Sequence, residues 1–86
     1  MADSFGYGIV EIDIHSMTVT QAAIAVDAKI RRAGNSVYRI RVIHGYHGGT
    51  ALRDMVRSRY RGNQKVLRIE NGINPGCTDL VLRELF

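Results

Sequence analysis

The sequence predicts an α/β fold, a two-layer sandwich in which two helices cover one face of a four-stranded mixed sheet. Three observations carry this expectation. Four segments have the apolar alternation or the turn-bounded apolar content of strands. Two segments lying between the first three of these have apolar residues at helical spacing. The last two strands are joined by a stretch of turn residues too short for a crossover helix, so they must run antiparallel. The order is βαβαββ, and 86 residues is the size of one such domain.

Residues 1–7 read as a lead-in and residues 8–86 as the domain. From Gly8 to His15, Val10, Ile12 and Ile14 alternate with Ile9, Glu11, Asp13 and His15, the period of a half-buried strand. Thr18 followed by Gln21 has capping-box spacing. Behind it Val19, Ala23, Val26 and Ile30 make a helical stripe over Val19–Ala33, with Gly34 as the stop. Ser36 to His44 is the second strand, with Tyr38, Ile40 and Val42 on one face. His44-Gly45-Tyr46-His47-Gly48-Gly49 is a glycine-rich turn into a second helix from Thr50 to Tyr60, whose apolar face is Leu52, Met55, Val56 and Tyr60. Lys65 to Asn71 is the third strand, with Leu67 and Ile69 as its inward pair, and Thr78 to Leu85 is the fourth. Asn71-Gly72 and Asn74-Pro75-Gly76 are turn formers. Right-handed crossovers make the first three strands parallel and put both helices on one face. The favoured strand order is 1-2-4-3.

Charge narrows the function classes. The net charge of +4 conceals a strong segregation. Eleven of the twelve basic residues lie between Lys29 and Arg68 with one acid, Asp54, so this centre carries +10 and the flanks −6. Ten of the twelve are arginine, whose planar fork suits phosphate oxygens. Such a centre points to nucleic acid as the partner, against the bland alternative of a solvated basic surface. No apolar run is long enough to span a membrane. The first residues lack the pattern of a secretion signal, and a single cysteine, Cys77, allows no internal disulfide. The expectation is a cytoplasmic protein with no membrane partner.

The candidate site lies at the carboxyl edge of the first two strands, where open α/β sheets bind ligands. Asp13 and His15 share a face, and parallel pairing brings His44 to the same edge. The glycine turn adds His47 and opens a helix N-terminus. Arg53 stands in that helix's first turn with Arg57 four residues on, a like-charged ridge that is explicable if an anion sits beside it. Gly45, Gly48 and Gly49 let the backbone approach a phosphate closely. Two imidazoles at a phosphate site suit phosphodiester cleavage: one takes a proton from the nucleophile and the other protonates the leaving oxygen, with Asp13 orienting His15. An RNA 2′-hydroxyl would need no metal; a water attacking DNA usually calls for one, such as Mg or Mn. A metal site on Asp13, His15, His44 and His47 is a competing reading, although the spacing matches no metal motif. A third is that each histidine merely closes a strand or turn by hydrogen bonding. Tyr46 could stack on a base or pack on its own turn.

These residues also resemble the Smr (small MutS-related) domain family, from about Val10 to Leu85. Asp13-Ile14-His15-Ser16 resembles the family's D-L-H-G motif. Arg41-Val42-Ile43-His44-Gly45-Tyr46-His47-Gly48-Gly49-Thr50-Ala51-Leu52-Arg53 resembles an apolar strand followed by H-G-x-G-x-G and a helix start. The resemblance implies a fold like the C-terminal domain of translation initiation factor 3, nucleic-acid binding and, as in several members, endonuclease activity on DNA or RNA. It assigns function to Asp13, His15, His44, Gly45 and Gly49. Ser16 and His47 replace glycines of the two motifs. The expected assignment is therefore catalysis by Asp13, His15 and His44, phosphate binding by residues Gly45, Tyr46, His47, Gly48, Gly49 and Thr50, and backbone contacts by Arg39, Arg41, Arg53 and Arg57. The alternatives are a non-catalytic DNA-, RNA- or ribosome-binding module and a protein-interaction domain.

Overall fold

The computed structural model describes residues 4–5 (backbone only), 8–46 and 50–84. The elements run β1 Ser4–Phe5, β2 Ile9–Asp13, α1 Val19–Arg32, β3 Arg39–Ile43, α2 Ala51–Arg59, β4 Arg68–Asn71 and β5 Cys77–Val81. They form a mixed sheet in the order β1-β2-β3-β5-β4. The four strands expected from the sequence thus stand in the expected 1-2-4-3 order. β2 and β3 are parallel, and β5 is antiparallel to both of its neighbours.

The lead-in differs from expectation. Ser4 and Phe5 pair antiparallel with Val10 and Ile9, adding a fifth, two-residue strand at the edge. So short a segment shows no period of two and cannot be found by alternation. Gly8 permits the turn before β2: its φ is +87°, and a Cβ there would lie 2.4 Å from the Ser36 carbonyl oxygen. The other strands are shorter than the apolar segments that announced them, because pairing stops where the chain leaves the ladder.

The helices form for the reasons their sequences suggest. Thr18 Oγ1 accepts from Gln21 N at 3.1 Å and Gln21 Oε1 accepts from Thr18 N at 3.0 Å, completing the capping box of α1. Its C-cap is Ala33, one residue ahead of the predicted glycine stop. The buried stripe of α1 is Ala22, Val26 and Ile30, while Val19 is 42% exposed, so the inward face is rotated from the predicted one. In α2, Val56 and the following Tyr60 are buried and Leu52 and Met55 pack against them, as expected.

Both helices pack on one core with Val10, Ile14, Ile40, Val42, Val66 and Leu80. The predicted inward Leu67 is 53% exposed; the neighbouring Val66 takes the core position because β4 begins only at Arg68. The helices are also clamped by polar contacts. Asp27 of α1 accepts from Arg59 Nη2 at 2.6 Å and from the Tyr60 hydroxyl at 2.5 Å. The Arg59 guanidinium holds the Asp27 carboxyl below its ordinary range, while burial and the adjacent carboxylate push the Tyr60 phenol up.

β5, central and buried along its whole length, carries a charge inward: Asp79 is 2% exposed. On the sheet face opposite the helices, Arg39 Nη1 donates to Asp79 Oδ2 at 2.8 Å and Arg41 Nε to Oδ1 at 3.2 Å. Glu70 accepts a further bond from Arg39 at 3.0 Å. A buried carboxylate without such partners would be strongly unfavourable. Among the described residues no buried side-chain nitrogen or oxygen lacks a hydrogen bond, and no helix is long and apolar enough to cross a membrane.

Candidate functional site

Parallel pairing brings the carboxyl ends of β2 and β3 together. Asp13 is in register with Ile43, and Ile14 N donates to the Ile43 carbonyl at 2.8 Å. Ile14 is fully buried and anchors the segment, leaving Asp13 and His15 on the outside. Asp13 Oδ1 accepts from His15 N at 3.0 Å and lies 2.5 Å from His15 Nδ1. A carboxylate at Nδ1 selects the tautomer with its proton there, so in the neutral ring Nε2 carries the free lone pair. The bonds from His15 hold the Asp13 carboxyl below its usual range, which keeps it ionised. The two side chains are 60% and 53% exposed, so the dyad is open to a solute.

His44 reaches the same edge but faces the other way. It continues the inward alternation of Ile40 and Val42 and is 5% exposed. Its Nδ1 lies 2.8 Å from the Gly45 carbonyl oxygen, which can only accept, so Nδ1 carries a proton. Its Nε2 lies 2.9 Å from Thr78 Oγ1. Arg57 Nε donates to the same oxygen at 3.2 Å, which leaves the Thr78 hydroxyl proton for His44 Nε2. A chain of donors therefore runs Arg57, Thr78, His44, Gly45 carbonyl. Both ring nitrogens of His44 are engaged inside the protein. The structure thus separates the two histidines that the sequence treats as an acid–base pair: His15 is open, and His44 locks the start of the loop.

The loop is held from a second side. His44 N and Gly45 N both donate to the Gly76 carbonyl, at 2.9 and 3.0 Å. Gly45 adopts φ +74°, and a Cβ built there would lie 3.4 Å from His15 Cβ, so this residue is where the two strand ends meet. Gly76 is equally close-packed: an added Cβ would meet the Tyr46 ring at 3.1 Å and Gly45 Cα at 3.4 Å. Tyr46 itself is 59% exposed beside this contact. His47, Gly48 and Gly49 lie outside the described residues. Thr50 caps α2 by position only: its hydroxyl donates to Asp54 Oδ2 at 2.9 Å and makes no bond to the helix N–H groups. Among the described residues the start of α2 has no side-chain cap, the condition in which helix amides can receive an anion.

The arginines divide. Arg53 is beside the helix start and bonds Asp54 at 3.2 Å. Arg57 is turned inward to Thr78 and, at 3.1 Å, to Asn71 Oδ1. Arg39 and Arg41 do not join the site. They lie on the opposite sheet face, 19% and 12% exposed, neutralising Asp79 and Glu70. The sequence leads one to expect them on the nucleic-acid backbone; in the structure both are engaged with the buried Asp79, which lies outside the basic window in the sequence.

Thr78, Asn71 and Gly76 belong to this edge and escaped the sequence reading. Asn71, Asn74 and Gly76 read there as turn formers. Only the strand order gave a signal, since it puts the fourth predicted strand beside the second; the register that sets Thr78 against Val42 is a property of the folded hairpin. For the metal reading, the structure brings together one carboxylate and one imidazole. No group of three potential ligands assembles among the described residues.

Comparison with known proteins gives matches in agreement with this geometry. No curated protein matches the sequence significantly. A solved structure, the Smr domain of MutS2 from Thermus thermophilus, superposes with a TM-score of 0.76 at 28% sequence identity, covering 86% of this chain and 98% of that one. The profile of the Smr domain matches residues 12–75, which contain both β2–β3 strand ends, the glycine-rich turn, α2 and β4. On the strength of that match, the chain belongs to the Smr domain family.

Proposed function

We propose that the protein binds nucleic acid and cleaves a phosphodiester bond at the edge formed by Asp13, His15 and the loop from Gly45 to Thr50. One observation carries the reading: Asp13 Oδ1 engages both the backbone and Nδ1 of an exposed His15, at the strand end that meets Gly45. Asp13 fixes the ring, His15 Nε2 takes the proton of the attacking oxygen, and the amides at the start of α2 bear the negative charge of the phosphate. In RNA the attacking oxygen is the 2′-hydroxyl, which needs no metal; in DNA it is water, and the described residues assemble no ligand set for the Mg or Mn that water attack usually calls for. With His44 engaged internally, protonation of the leaving oxygen falls to water.

A panel of single-stranded, duplex and hairpin RNA and DNA, with divalent metal or with EDTA, tests the proposal. His15→Ala is expected to reduce cleavage by about 10²–10⁴-fold while binding persists. Intact substrates throughout the panel, or a His15→Ala protein as active as the wild type, would overturn it. The second reading is a module that binds DNA, RNA or ribosomes without cutting. It is favoured by the engagement of both His44 nitrogens, which leaves one accessible imidazole among the described residues.

A further inference from the structure

A groove of about 620 Å³ runs along β4, starting from the candidate active edge and extending away from it. It begins at Asn71, the carboxyl end of β4, and follows Ile69 and Arg68 along that strand to Leu67 just before it, with Arg57 and Arg61 also lining it from α2 and its end. Its two ends differ in chemistry. At Asn71 it touches the candidate site, because Arg57 bonds Asn71 Oδ1 and, through Thr78, the buried His44. At the other end, Leu67 exposes 53% of its surface, and Arg61 is exposed.

Charge decides the occupant. Arg61 and Arg57 make no ion pair among the described residues. Arg68 is shared between Glu70 and Glu84 at 2.6 and 2.7 Å, and Glu70 is further balanced by Arg39 at 3.0 Å. The one acid lining the groove is therefore already compensated, and two cations are not. Aliphatic side chains between guanidinium groups offer apolar contact to unstacked bases and positive charge to phosphates. A duplex keeps its base faces stacked inside the helix, so apolar contact to bases in this groove favours an unpaired strand.

We propose that this groove holds an unpaired strand of the nucleic acid next to the bond presented at His15, with Arg61 and Arg57 on its phosphates and Leu67 and Ile69 against its bases. The inference rests on the nucleic-acid reading above and goes further by naming a single-stranded segment and its path. The chain enters at Asn71 and leaves past Arg61.

The test uses the full chain with fluorescein-labelled oligo-dT and oligo-U ten-mers, a duplex ten-mer and a poly-glutamate peptide. Amide NMR shifts are followed alongside binding anisotropy over a salt series. Single strands are expected to move the amides of Arg61, Leu67 and Asn71. Arg61→Glu is expected to weaken their binding about tenfold and to flatten the slope of log K against log salt by about 0.7 per lost phosphate contact. Leu67→Ser should weaken single strands and leave the duplex unchanged. Both side chains are exposed, so thermal melts should match the wild type. If the wild type binds single strands but neither variant alters affinity or slope, the groove assignment falls and the nucleic-acid reading stands. Equal losses for single strand and duplex overturn the unpaired-strand claim. Poly-glutamate moving the same amides with equal affinity identifies an acidic protein partner and overturns it as well. A wild type that binds no nucleic acid at low salt overturns both readings.

Discussion

His15 and His44 differ in what their rings can still reach. His15 has a carboxylate at Nδ1 and solvent around the rest of the ring; His44 has a carbonyl at one nitrogen and a hydroxyl at the other. The two should respond oppositely to substitution. His15→Ala should leave thermal stability near that of the wild type, since the side chain is 60% exposed, and should reduce cleavage by about 10²–10⁴-fold. His44→Ala removes a partner from Thr78 and from the Gly45 carbonyl in a buried setting, which costs about 1–3 kcal/mol of stability. Urea denaturation checks this directly: an unshifted midpoint for His44→Ala would mean the donor chain contributes nothing. Asp13→Asn tests the orientation of His15. It should lower kcat with little change in KM, because the amide no longer selects the Nδ1–H tautomer while the phosphate-binding amides stay intact. A rise in KM alone would assign Asp13 to substrate binding.

At the scale of elements, the α1–α2 contact is held as much by the Asp27, Arg59 and Tyr60 cluster as by its apolar stripe. Tyr60→Phe keeps the packing and deletes the hydroxyl bond to Asp27, for an expected loss of about 1–2 kcal/mol. The same cluster makes the domain acid-sensitive. The Asp27 carboxyl is held below its unfolded value of 3.8, chiefly by Arg59. A depressed carboxylate contributes stability that is present above the unfolded value and is lost as pH falls through the folded value. Wild-type stability should therefore fall as pH drops below about 4, and Asp27→Asn should show a weaker fall across the same window. Parallel pH-dependent urea melts of the two proteins measure the difference; superimposable profiles would remove Asp27 from the acid transition. These elements were also where the sequence was most and least informative. Alternation in Val10, Ile12 and Ile14, the Thr18–Gln21 capping box and the turn at Asn74-Pro75-Gly76 were enough for the element order βαβαββ. The rotation of α1 onto Ala22, Val26 and Ile30 was hidden, because Val19 and Ala23 fit an apolar helical stripe equally well and only the sheet decides between them.

On the scale of the whole molecule, the +10 of the central segment is not a +10 surface. Arg39 and Arg41 neutralise the buried Asp79, Arg59 pairs with Asp27, Arg68 with Glu70 and Glu84, and Arg53 with Asp54. The acids that balance the centre come mostly from the flanks, brought in by strand pairing and helix packing, which a linear count of charge cannot register. The candidate edge was legible because Asp13, His15 and Gly45 sit at strand ends whose parallel pairing follows from βαβ order. The partners of His44 were not, because Thr78 and Gly76 reach it through hairpin register. This redistribution sets the strength of nucleic-acid binding. Arg31, Arg32, Arg57, Arg61 and Lys65 are the cations of the central segment for which the described residues provide no ion pair. They are spread over more than one face: Arg57 and Arg61 line the groove beside β4, whereas Arg31 and Lys65 lie near Asp27. One strand can therefore meet only a few of them at once. For single-stranded nucleic acid the slope of log K against log salt should lie at about −2 to −3, corresponding to three or four phosphates, well short of about −7 for ten. Replacing Arg53 and Arg57 together by Ala should weaken binding across all sequences and reduce the slope by about 1. Titrations between low and physiological salt measure both quantities. A slope near −7 would mean that the internal ion pairs open on binding and that the full central charge is released to the ligand.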